Sequence, residues 1–258
     1  MFEPLTLALL AVAGFGAGLV DSIAGGGGLL TVPALLATGM PPLAMLGTNK
    51  AQSSIGTTIA VWRYARAGLV DWRALRLPVL GSGLGAAIGC LLVQRLHTDT
   101  LKAIIPLLLM VAIAYFIFSP RMTDEDKHGH LSLRGYAPVA GLIGFYDGFF
   151  GPGTGSICAA SLVGLTGMGL RRATAATKVI NLTSNLVSFA LFVWAGQVIW
   201  LAALVMGVAN IAGAWIGSHL ALKHGATIIR PLLILVSLAL TVHVVLDPAN
   251  PLRALFVR

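Results

Sequence analysis

Residues 4–33 read PLTLALLAVAGFGAGLVDSIAGGGGLLTVP, and this stretch decides the fold. From Pro4 to Val20 no side chain carries a charge. Apolar runs of about 18 residues are what a helix needs to cross a membrane. Asp21 then interrupts the run, Gly25–Gly28 follows, and a second apolar piece at 28–38 contains Pro33. At 1.5 Å per residue its eleven or so positions reach roughly 16 Å, short of a hydrocarbon core of about 30 Å. The pattern predicts a broken, re-entrant-like hairpin with the glycines at its tip. Irregular backbone survives at membrane depth only where protein packs it or where it lines a wet cavity.

The rest of the chain is of the same kind. It has 258 residues, 57% hydrophobic and 10% charged, with a mean hydropathy of +0.89. A soluble domain carries about 25% charged residues, so this composition predicts an all-α polytopic integral membrane protein. The short alternating strands of an outer-membrane barrel are absent. The net charge of +8 and pI of 10.1 fit the Lys/Arg bias of cytoplasmic loops rather than a nucleic-acid partner. Cys90 and Cys158 sit inside apolar runs and read as packing residues. His128 and His130 form an isolated H-x-H in a polar loop, so no metal is expected. No G-x-x-x-x-G-K-[ST] loop occurs, and no cofactor is expected. The N-terminus has no basic region before its apolar run, which argues against a cleaved signal peptide.

Residues 15–118 align with 142–246. Asp21-Ser-Ile-Ala-Gly25 matches Asp147-Gly-Phe-Phe-Gly151, and Thr48-Asn-Lys50 matches Ala176-Thr-Lys178. Gly68–Trp72 matches Gly196–Trp200, Gly85–Gly89 matches Gly213–Gly217, and Pro106-Leu-Leu matches Pro231-Leu-Leu. The expected division is a repeat at 1–120 and a second at 121–258, with 121–135 as a cytoplasmic linker. Each half reads as five segments: 4–20, 28–38, 43–62, 74–94 and 99–118, then 136–150, 155–168, 173–194, 198–221 and 226–246. The loop with Arg63, Arg66, Arg73 and Arg76 has an uncharged counterpart near 195–199. Arg171 and Arg172 likewise match an uncharged loop at 41–43. Corresponding loops therefore face opposite sides, and the repeats are inverted. Placing the Arg-rich loops in the cytoplasm leaves eleven Lys/Arg inside and four outside, namely Arg95, Lys102, Arg253 and Arg258. That orientation puts both termini outside a bacterial inner membrane.

Two lysines remain, both in the membrane. A lysine at mid-helix costs ~3 kcal/mol on insertion scales, yet Lys50 and Lys178 occupy matching positions of the two halves. Lys50, Ser53 and Thr57 follow i, i+3, i+7, as do Lys178, Asn181 and Asn185; such spacing lines one helix face. A fixed cation beside hydroxyls and amides suits an oxyanion. The substrate-binding set expected is Lys50, Asn49, Gln52, Ser53, Lys178, Asn181 and Asn185, with backbone N–H groups from Gly26, Gly27 and Gly153 at the tips. Asp21 and Asp147 end the first segment of each repeat. They would pair a lysine, take a coupling proton or cap the following backbone.

The motifs Asp21-Ser-Ile-Ala-Gly-Gly-Gly-Gly-Leu-Leu-Thr-Val-Pro33, Thr48-Asn-Lys50 and Gly144-Phe-Tyr-Asp-Gly-Phe-Phe-Gly-Pro152 resemble the TauE/SafE sulfite exporter (sulfonate uptake permease) family, in its YfcA-type branch of membrane transporters. The resemblance spans almost the whole chain. It implies movement of sulfite, sulfoacetate or related sulfur anions. The expected activity is a secondary anion transporter working by alternating access between the repeats, not an enzyme. A passive channel is the alternative. Tyr146-Asp147 is similar to the Tyr-Asp pair of intramembrane aspartyl proteases, but their Gly-x-Gly-Asp motif is missing. Gly14-Phe-Gly-Ala-Gly18 has no preceding strand and is not a dinucleotide site. The partners expected are a small anion and the bilayer, with proton coupling and homo-oligomerisation left open.

Overall fold

The computed structural model describes residues 2–118, 125, 126 and 128–224. Among these, all regular structure is helical and there is no strand. The helices are α1 (Pro4–Ala24), α2 (Gly28–Leu36), α3 (Pro42–Arg66), α4 (Arg76–Val93), α5 (Thr98–Phe118), α6 (Ala137–Phe149), α7 (Thr154–Thr166), α8 (Leu170–Trp194) and α9 (Trp200–His224). Five are long and apolar enough to cross a membrane: α1, α4, α5 over Thr98–Tyr115, α8, and α9 over Trp200–Lys223. The segment expected at 226–246, Pro231, Arg253 and Arg258 lie outside the described residues, as do 119–124 and 127 of the linker.

α3 has 25 residues and reaches about 37 Å, but the polar residues between Thr48 and Thr58 keep it out of the strongly apolar set. α2 has nine residues and α6 and α7 have 13 each. These reach only about 14 and 20 Å. Chain entry and exit explain where they stop. Gly25 closes α1 in the left-handed region at φ 76°, and its N–H donates to the Asp21 carbonyl at 2.9 Å. Gly151 at φ 104° and Gly153 at φ 83° carry the turn from α6 into α7.

Polarity is distributed the opposite way from a soluble domain. Leu80, Leu84, Ile88 and Leu91 point outward along α4, and Leu201, Leu204, Val208 and Ile211 along α9; Leu84 is 68% exposed. Lys50, Lys178, Asp147, Asn185 and Asn210 are buried. Such contiguous apolar exposure marks a surface that is covered, and on helices long and apolar enough to span, the cover is a bilayer.

The two most extensive helix contacts are α1 along α9 and α4 along α6. Both use small residues, which let helix backbones approach without a water-driven hydrophobic force. Gly213 and Gly217 lie against the backbone of Phe15 and Leu19, while Gly144 and Gly148 lie against that of Ser82 and Ala86. A Cβ at any of the four would strike backbone. α3 and α8 pack together between these pairs. The tips at the ends of α1 and α6 also meet. The Ser156 N–H donates to the Gly25 carbonyl at 3.2 Å and its hydroxyl to the Ala24 carbonyl at 2.6 Å. Outside the membrane-spanning part, Asp126 accepts the Gly169 N–H at 2.6 Å and Arg172 Nη1 at 2.8 Å, which ties the linker to the start of α8.

Candidate functional site

The polar stripes of α3 and α8 face each other, and the two glycine tips close over them. A small cavity of about 30 Å³ lies between, room for at least one water. Asn49, Lys50, Gln52 and Ser53 of α3, Asn181 and Asn185 of α8, Asp21, Asp147, Gly27 and Gly153 all line it. Of the expected set, Lys178 and Gly26 are not among the lining residues.

The lysines pair crosswise between the two halves of the chain. Lys50 Nζ lies 2.9 Å from Asp147 Oδ1, both side chains being 2% exposed, and Lys178 Nζ lies 2.8 Å from Asp21 Oδ2. Of the roles open to the aspartates from sequence, ion pairing is the one seen. The pairs are not equivalent. Lys178 is fully buried and also donates to the Asp21 carbonyl, so the end of α1 wraps its ammonium. This is why Lys178 is missing from the cavity wall.

Lys50 belongs instead to a closed ring. It donates to Asn185 Oδ1 at 3.1 Å, Asn185 Nδ2 donates to Asn181 Oδ1 at 3.3 Å, and Asn181 Nδ2 donates to Asp147 Oδ2 at 3.3 Å. Ser184 Oγ donates to the same Asp147 oxygen at 2.5 Å. An ammonium has three donors, and Asp147 Oδ1 and Asn185 Oδ1 engage two of them. Gly151 lets the pair form: a Cβ there would crowd Lys50 Nζ and Asp147 Oδ1.

A second network holds the opposite wall. Asn49 Oδ1 accepts from Thr31 at 2.5 Å and from Gln52 Nε2 at 2.9 Å. Gln52 also donates to Ser53 and accepts from Asn210 Nδ2 at 2.5 Å. Sequence reasoning missed Asn210, Thr31 and Ser184. Asn210 had a signal, being the one amide in the apolar run of α9; polar residues at membrane depth are functional candidates by default. Ser184 lies one turn after Asn181. Thr31 had no signal, since Ser and Thr are common in membrane helices.

A helical protein with an apolar exterior, several helices long enough to cross a membrane and a charged, amide-rich cavity between them has the build of an integral membrane protein. The comparisons place it more closely. The family model described as Sulfite exporter TauE/SafE matches residues 10–244, and the chain belongs to that family. It is 46% identical over 248 residues to a "Probable membrane transporter protein ORF9" of Sinorhizobium sp., covering 96% of this chain and 95% of that one. It is 43% identical to a "Probable membrane transporter protein" of Haemophilus influenzae, covering 93% and 95%. It is 40% identical to "Probable membrane transporter protein YfcA" of Escherichia coli K12, covering 96% and 92%. No solved structure matches it. Family and relatives point to a membrane transporter rather than an enzyme.

Proposed function

We propose that the chain is a secondary transporter of a small anion, sulfite or an organosulfur anion, with its binding site in the cavity at Lys50. The observation that carries this reading is a lysine 1% exposed that lines a polar cavity. Asn49, Gln52, Ser53, Asn181 and Asn185 shape the walls, and the tips at Gly26–Gly27 and Gly153 act as hinges. Lys178 holds α1 to α8 through Asp21 and supports the site from behind.

The two halves are inverted repeats at 1–120 and 121–258 that rock against each other to give alternating access. Three features support this: α1 with α9 matches α6 with α4 under the sequence alignment, Lys50–Asp147 matches Lys178–Asp21, and the two hairpin tips touch. The protein sits in the bacterial inner membrane with both termini outside, as the arginine distribution favours.

The test is uptake of radiolabelled sulfite and sulfoacetate into proteoliposomes, with wild-type protein and Lys50→Ala. Saturable uptake of at least one of the two anions, lost in the variant, is expected. Normal uptake by Lys50→Ala would remove the site. Uptake that never exceeds equilibrium under any imposed ion gradient would turn the reading to a passive channel.

A further inference from the structure

We propose that the anion crosses together with one proton carried on Asp147, so that the site selects a monovalent anion and the cycle moves no net charge. This rests on Lys50 being the anion-binding cation.

Lys50 is already neutralised by Asp147 at 2.9 Å, and Lys178 by Asp21 at 2.8 Å. Lys50, Asp147 and Asp21 are the charged side chains that line the cavity among the described residues. An anion reaching Lys50 while Asp147 stays ionised would set two negative charges on one buried ammonium. Burial disfavours an uncompensated charge, and a carboxylate in that position takes up a proton. Protonation of Asp147 frees one positive charge on Lys50. That balances a singly charged anion and leaves a doubly charged one uncompensated.

The geometry around Asp147 allows the neutral acid. Ser184 Oγ donates to Asp147 Oδ2 at 2.5 Å, yet it also has the Asn181 carbonyl at 3.0 Å and the Ile180 carbonyl at 3.5 Å. The hydroxyl can turn its hydrogen to the backbone and accept the acid proton with its lone pair. Both protonation states are thus hydrogen-bonded. The proton enters from the side that delivers the anion and leaves on the other, when Lys50 returns to the carboxylate. Asp21 has no such arrangement: Lys178 is held by both its carboxylate and its carbonyl and does not line the cavity. The Lys178–Asp21 pair is therefore the fixed one.

Of the helices packed on α6, α8 also carries Lys178, whose charge Asp21 already neutralises at 2.8 Å. α3 contributes Lys50 alone, α8 contributes Asn181 and Ser184, and α4 packs Ser82 and Ala86 against Gly144 and Gly148. Among the described residues, Cys158 of α7 and Tyr146 of α6 also lie within electrostatic reach of Asp147. The Tyr146 hydroxyl is engaged by the Pro152 carbonyl at 2.6 Å.

Methanesulfonate is the probe, because it stays monoanionic and does not cross lipid as a neutral acid. Proteoliposomes of the full chain are given either an acid-outside pH gradient at zero potential, or a potassium-valinomycin potential at equal pH. The expected result is uptake several-fold faster with the pH gradient and changed less than twofold by the potential. Asp147→Asn should lose the pH response and retain potential-driven flux, while Asp147→Glu keeps the pH response. Wild-type flux that follows potential and ignores pH overturns the coupling but leaves transport at Lys50 standing, and this measurement needs no variant. Uptake of dianionic sulfoacetate with none of methanesulfonate overturns the monoanion selection. No flux of sulfite, sulfoacetate or methanesulfonate sinks the transport reading, and the coupling with it.

Discussion

Lys50 and Asp147 show how much of the site hangs on one contact. Removing one partner of a buried pair costs about 3–5 kcal/mol, whereas replacing both with apolar groups is often neutral. Lys50→Met should therefore lower stability in detergent by an amount of that order, and Lys50→Met with Asp147→Leu should regain most of it. Denaturant unfolding of the two variants reads this directly; additive losses would mean that the pair contributes nothing jointly. Asn210 supports the other wall through Gln52. Asn210→Ala leaves the Gln52 carbonyl buried without that donor, at about 1–3 kcal/mol, and should weaken anion affinity while leaving Lys50 paired. Binding and thermal unfolding measured together separate the two effects. The lysines, aspartates and amides were legible as residues out of place in lipid. Their pairing was not, because Lys50 and Asp147 lie far apart in sequence and either lysine could have met either aspartate.

At the scale of helices, stability follows from close backbone approach and not from large side chains. Gly85 sits against the backbone of Gly141 and Phe145, while Leu84 beside it faces lipid. Gly85→Leu should separate α4 from α6 and cost about 1–3 kcal/mol by overpacking; Leu84→Ala should stay within about 0.5 kcal/mol. Unfolding in bicelles distinguishes them, and equal effects would contradict the observed faces. The start of α8 carries a pH-dependent tie. The Gly169 N–H, with Arg172 behind it, holds the Asp126 carboxyl below its ordinary value of 3.8. A depressed carboxyl stabilises above its unfolded value, and that contribution is lost as pH falls through the folded one. Wild type should therefore unfold at a higher temperature than Asp126→Asn at neutral pH, and the gap should close in strong acid. The helices themselves were readable from apolar run length: the nine described helices fall on expected segments, with ends displaced by at most four residues, as where α1 runs on to Ala24. That extension has a local cause, since the Asp21 carbonyl accepts the Gly25 N–H and keeps Asp21 inside the last turn.

For the molecule as a whole, orientation is the quantity that topology rests on. Ala67 and Ala195 are exposed at corresponding loops of the two halves. Inverted repeats put them on opposite sides, so an impermeant thiol reagent should label Ala195→Cys in intact cells, and Ala67→Cys only after permeabilisation. The native Cys90 and Cys158 are buried and give little background. Labelling of both from one side would end the inverted-repeat proposal. Exposed Trp62 and Trp72 near one loop, and Trp194 and Trp200 near the other, are where aromatic belts at two interfaces would lie.

Sequence by itself determined the membrane class, the helix positions, the family and the stripe of polar side chains, because each is written in local composition and period. The tertiary structure decided which charges cancel, which lysine faces the cavity and which is sealed behind it. Those outcomes depend on α1, α3, α6 and α8 meeting at one point. Lys50 and Lys178 occupy the same place in the repeat, yet the end of α1 wraps one ammonium and leaves the other open to the cavity. Only packing in three dimensions makes that distinction.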